Sequence, residues 1–147
     1  MRIVTLGVML VFSLGACQTN RPIDGSLSYV EPVPTVDAKE LGRTVARYVG
    51  EVWPGARTTV LLVPPIENQA NNDLTLALTA GLLENGFAVI TPGSQAIASI
   101  HRLQYWVTPF DGHALVRLIL DGSPATCLYA QDPQGHVVAL APFTVRN

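Results

Sequence analysis

From Asp37 onward the apolar positions follow a helical period: Leu41, Val45, Tyr48 and Val52 recur at i, i+4, i+7 and i+11, one stripe on an otherwise polar segment. Asp37 can cap the free amides, Glu40 three residues later completes a capping-box pattern, and Pro54-Gly55 ends the run. Gly42 and Gly50 each weaken an isolated helix by ~1 kcal/mol relative to alanine, so this one is expected to depend on tertiary packing. A second helix is predicted from the Asn71-Asn72-Asp73 cap to Asn85-Gly86, with Leu74, Leu78 and Leu82 four apart. It lies between two short β-rich runs, 57–63 (cut off by Pro64-Pro65) and 87–91, so residues 57 to 91 read as a strand-helix-strand unit whose strands pair in parallel.

Beyond His101 the period changes to two. Leu103, Tyr105 and Val107 alternate with Arg102, Gln104, Trp106 and Thr108, the pattern of a strand with two unlike faces. Turns are predicted at Pro109–Gly112, Asp121-Gly122 and Asp132–Gly135, separating strands at 113–120, 125–130 and 136–145. The fold class is therefore α+β: a strand-helix-strand unit followed by an antiparallel β-meander, with one or two helices packed on one face of the sheet. Residues 37–147 form this globular domain.

The first sixteen residues behave differently. Arg2 precedes a mostly apolar run, Ile3 to Leu14, the n-region and h-region of a secretory signal. A helix of that length reaches ~18 Å against a hydrocarbon thickness of ~30 Å, so removal suits it better than spanning. Leu14-Gly15-Ala16-Cys17 then matches a bacterial lipobox, with cleavage between Ala16 and Cys17 and acylation of the Cys17 thiol and the new N-terminus. Two or three acyl chains hold a protein stably where one does not, so the mature domain is expected to be tethered to a membrane rather than to cross it. Gln18 stands where many Gram-negative lipoproteins retained at the inner membrane carry aspartate, which points to the periplasmic face of the outer membrane. Residues 17–36, with Pro22, Pro32 and Pro34, read as a Pro-rich tether or as a segment that orders on a partner.

Composition narrows the chemistry. Over 147 residues the charge is −2, with nine Lys+Arg of which only Lys39 is lysine, so no basic stripe exists for direct nucleic-acid binding. Phosphate loops, dinucleotide fingerprints, Gly-x-Ser-x-Gly elbows and Cys-x-x-Cys pairs do not occur in the sequence, and no cofactor or small-molecule substrate is expected. His101, His113 and His136 lie near strand ends without metal-pair spacing. Asp111, Asp121 and Asp132 sit beside Gly or Pro in turn sequences, where backbone hydrogen bonding accounts for them. Cys127 lies in an apolar run as a buried, inert thiol; intermolecular pairing or a triad with His113 and Asp111 are the alternatives. Tyr105, Trp106 and Phe110 are the candidate interface residues, and because Tyr105 and Trp106 must point to opposite faces of a strand, at most one faces a helix-covered core.

The chain resembles the TrbH family of conjugal transfer lipoproteins. The likeness is carried by the lipobox at Cys17, Val52-Trp53-Pro54, the passage Leu83 to Val89, Leu103-Gln104-Tyr105, Val116 to Gly122 and the closing Gly135 to Arg146 strand, with Phe143 where tryptophan is expected. It implies a non-enzymatic, palmitoylated component of the type IV secretion apparatus that forms mating pairs in plasmid transfer. Its partners would be the membrane, through the lipid, and other envelope proteins of that apparatus. No catalytic residues carry over. An outer-membrane binding module or a secretin-pilot-like factor is the alternative, and a periplasmic thiol enzyme the third reading. Docking is expected at the exposed edge of the meander, by strand addition.

Overall fold

In the computed structural model, residues 27–66, 72–94 and 100–145 are described. Strand β1 (Tyr29–Val30) leads into helix α1 (Ala38–Val52), a 3-10 turn at Gly55–Arg57, β2 (Thr59–Leu62), α2 (Asp73–Glu84) and β3 (Ala88–Ile90). Then come β4 (Ile100–Phe110), β5 (His113–Leu120), β6 (Ser123–Gln131), β7 (Val137–Ala139) and β8 (Thr144–Val145). One mixed sheet runs β3-β2-β4-β5-β6-β7, with β1 on β4 and β8 on β6.

The fold class is α+β, and both described helices cover one face of the sheet. The caps are those the side chains dictate: Asp37 accepts from the Glu40 amide at 2.7 Å and Asn72 from the Thr75 amide at 2.8 Å. The buried stripe of α1 runs Leu41, Val45, Val49 rather than through Val52, which is exposed at the helix end. The two helices approach unusually closely. A Cβ on Gly42 would lie 2.6 Å from the Leu74 carbonyl oxygen, and one on Gly81 would lie 2.7 Å from the Ala46 Cβ. The glycines that weaken each helix alone thus let the pair come together.

The strand-helix-strand unit is present, β2 and β3 pairing in parallel around α2. β2 also pairs in parallel with β4, whose far half continues antiparallel to β5. Along β4, Leu103, Tyr105 and Val107 face the helices, and their cross-strand partners Leu120, Leu118 and Val116 on β5 share that face. Ala125, Cys127 and Tyr129 on β6 extend the same core.

Three expectations change. The first hairpin turns in two residues, Asp111 (φ 47°) and Gly112 (φ 74°), so Pro109 and Phe110 belong to β4. Phe110 and His113 close the hairpin and exchange its hydrogen bonds, which leaves the nitrogen of Pro109 in the next pair pointing away from β5. The predicted strand 136–145 is two short strands, β7 and β8, separated by a crossing at Leu140–Phe143 in which Phe143 stacks on Tyr48 at 3.7 Å. Finally, of the segment read as a tether, residues 28–36 are built into the domain. Tyr29 and Val30 pair with Trp106 and Val107, the Ser28 hydroxyl donates to the Val63 carbonyl and accepts from the Tyr105 amide, and Val36 is buried. Two residues between prolines carry no periodicity, so a strand this short leaves no mark in the sequence.

Candidate functional site

Residues one place along from the core positions of each strand form the other face of the sheet. Cross-strand registers arrange them in rows. Tyr29, Trp106, Arg117, Thr126 and Thr144 make one row; Thr108, Leu115 and Leu128 make the next; Phe110, His113, Ala130 and Val138 make the third. No described helix or strand lies over them. Phe110 is 58% exposed, Val138 40% and Tyr29 39%, whereas Trp106, Leu115 and Leu128 are half-buried by their neighbours. Leu140, 50% exposed, prolongs the apolar band, its amide donating to the Leu128 carbonyl at 2.8 Å.

Arg102, His113 and Arg117 are the ionisable side chains at outward strand positions of β4 and β5, with Glu31 at the rim beyond β1. The helix layer carries both signs, Lys39, Arg43 and Arg47 with Glu40, Glu51, Asp73 and Glu84. Arg117, Pro124, Thr126 and Thr144 line a depression of about 300 Å³. A guanidinium beside two hydroxyls is a donor set suited to a carboxylate.

Of the three aromatic candidates, Trp106 and Phe110 lie on this face. Tyr105 does not: it is 1% exposed, and its hydroxyl meets Thr75 Oγ1 at 2.8 Å inside the helix-covered core. Burial pushes that phenol up to about 12. The alternation left the choice between Tyr105 and Trp106 open; packing under α2 decides it. Ala16 and Cys17 lie outside the described residues.

The family model for conjugal transfer protein TrbH matches residues 24–147. The chain belongs to the TrbH family. No curated protein and no solved structure matches it. The TrbH match begins at residue 24, ahead of β1, in keeping with a domain that starts before α1.

Within this TrbH fold the polar groups singled out in the sequence are dispersed. His101 Nδ1 meets Asp121 Oδ2 at 2.6 Å beneath the ring of Trp53, and the other oxygen of Asp121 accepts the Arg102 amide at 2.7 Å. His136 pairs with Asp132 at 3.3 Å, and His113 Nδ1 lies 2.6 Å from the Asp111 carbonyl oxygen. The backbone amide of His136, ahead of the other contacts, holds the Asp132 carboxyl below its usual range. The Asp132 carboxylate thus completes its own turn, accepting the Gln134 and His136 amides, whereas that of Asp121 ties the β5–β6 turn to the start of β4. Cys127 and His113 are on opposite faces, so the thiol triad is not assembled. The Cys127 thiol donates to the Ala141 carbonyl at 3.1 Å, and burial raises its pKa, away from thiolate character. Among the described residues no three His, Cys, Asp or Glu side chains gather as a metal group, and no helix is long and apolar enough to cross a membrane.

The uncovered band itself escaped the sequence reading. Its signal was present: outward positions Leu115 and Leu128 are apolar where a solvated face would be polar, while Gln104 and Ile119, paired further along the same side, are buried.

Proposed function

We propose that this TrbH-family protein is a structural, non-enzymatic component of a conjugative type IV secretion apparatus, held at the periplasmic face of the outer membrane by acyl chains on Cys17. The reading rests on family membership joined to one observation, the Leu14-Gly15-Ala16-Cys17 sequence behind an apolar leader. Residues 18–26 link the anchor to a domain that begins at the β1 segment. The domain then works by contact with neighbouring subunits. Replacing Cys17 with Ser is expected to abolish labelling by a palmitate analogue and remove the protein from the outer-membrane fraction. A Cys17→Ser protein still recovered in that fraction overturns the anchor.

A further inference from the structure

The edge of the meander offers little for strand addition, because β7 and β8 present three and two residues broken by the Leu140–Phe143 crossing. Short interrupted edges of this kind resist pairing. The open face is larger, and its make-up is specific. Aromatic and aliphatic side chains flank an arginine that lies inboard, between Trp106 and Thr126, beside a depression floored by hydroxyl-bearing residues. Trp, Tyr and Arg are the residues that most often carry binding energy at protein interfaces.

We propose that the face between Tyr29 and Leu140 docks a protein segment that is apolar along its length and bears one carboxylate, which seats beside Arg117 in that depression. This extends the assembly role inferred above by giving the domain a contact surface. The charge distribution selects the occupant. The protein as a whole is net acidic, yet the inboard charges of this face are arginines, so the complementary surface is acidic. A second copy stacked face to face presents the same arginines rather than a carboxylate to seat beside Arg117, so it does not supply the complementary charge. A bilayer fits less well than a polypeptide. Membrane-seated domains keep cations at the rim, where they reach headgroups, whereas Arg117 has the Tyr29–Trp106 pair on one side and β6 on the other.

The test uses the full chain in cells that carry its transfer system. The photo-crosslinker p-benzoylphenylalanine is placed at Leu115 or Leu128, with exposed Leu83 on α2 as the control. Adducts are expected from 115 and 128 but not from 83, on a partner peptide containing Asp or Glu. Arg117→Glu should cut their yield at least about tenfold, and Asp or Glu→Arg in that peptide should restore it. Arg117 is exposed, so the variant is expected to melt like the parent. An adduct unchanged by Arg117→Glu, or equally strong from position 83, overturns the proposal. So does one to a second copy or to the chain's own residues 18–26, or Arg117-dependent flotation of Cys17→Ser protein on phosphatidylglycerol-containing vesicles. Palmitate labelling is followed in the same cells: loss of label with the adduct retained defeats the anchor and leaves the docking face standing, and the reverse result separates them the other way.

Discussion

On one side of the sheet Leu103, Tyr105, Val107, Val116 and Leu118 are covered by two helices; one residue along each strand, Trp106, Thr108, Leu115 and Phe110 meet no described helix or strand. The covered side satisfies itself. Its polar groups are absorbed too: Asn72 Nδ2 donates to Thr75 Oγ1 at 2.9 Å, and that oxygen meets the Tyr105 hydroxyl, joining the cap of α2 to the middle of β4. The other side keeps apolar area and an inboard arginine without such closure. Identical strands thus yield one face closed by the helices and one that, on the proposal above, makes contacts, and the two should respond differently to the same kind of change.

The largest contrast is expected from truncating leucines on each side. Leu118→Ala, at a fully buried position, should cost about 2–5 kcal/mol in urea unfolding, whereas Leu115→Ala should stay within about 1 kcal/mol and instead lower conjugation frequency. Equal losses in stability would break the comparison, since both faces would then be interior in the free protein. Next comes Gly42→Ala. Alanine favours a helix by ~1 kcal/mol, yet here its methyl meets the Leu74 carbonyl and the Leu78 amide of α2, so a net loss of about 1–3 kcal/mol is expected in the same measurement. A gain would show that the helix layer is looser than described.

Tyr105→Phe should then cost about 1 kcal/mol, because it removes one buried hydrogen bond and leaves Thr75 with the Asn72 contact. Trp106→Phe, one residue away, should leave the melting temperature almost unchanged. The smallest effect is one of pH at the β6–β7 turn, away from both faces. Asp132 titrates lower in the folded chain than in the unfolded one, so it stabilises above the ordinary aspartate range and that contribution is lost as pH falls through it. The difference in melting temperature between the parent and Asp132→Asn should therefore shrink on acidification; a difference that grows would contradict the sign.

Much of this architecture could be read from local chemistry. Asp37 and Asn72 cap where their side chains must, Gly86 (φ 85°) follows α2, and the Asp-Gly pairs at 111–112 and 121–122 turn with positive φ at both residues. What stayed hidden depends on residues far apart in the chain. Tyr29–Val30 becomes a strand only because β4 offers an edge at Trp106–Val107, and Pro109 fits a strand only because its nitrogen faces away from β5. The packing role of Gly42 belongs to two helices at once. The candidate site was partly legible for a similar reason. Alternation places Trp106 and Tyr105 on opposite faces, but which face the helices choose is a tertiary outcome.

The long strand β4 has one more consequence. It pairs with β1, β2 and β5, and the Tyr105 amide reaches Ser28 across 77 positions of sequence. A ribosome making this polypeptide, or a translocation channel threading it from the amino end, delivers β1 and β2 long before the strand that must lie between them and the meander. Tyr29 and Val30 have no strand to join until Trp106 and Val107 have emerged, and β2 has only β3 before residue 100, so closure of the sheet waits on β4 by connectivity alone.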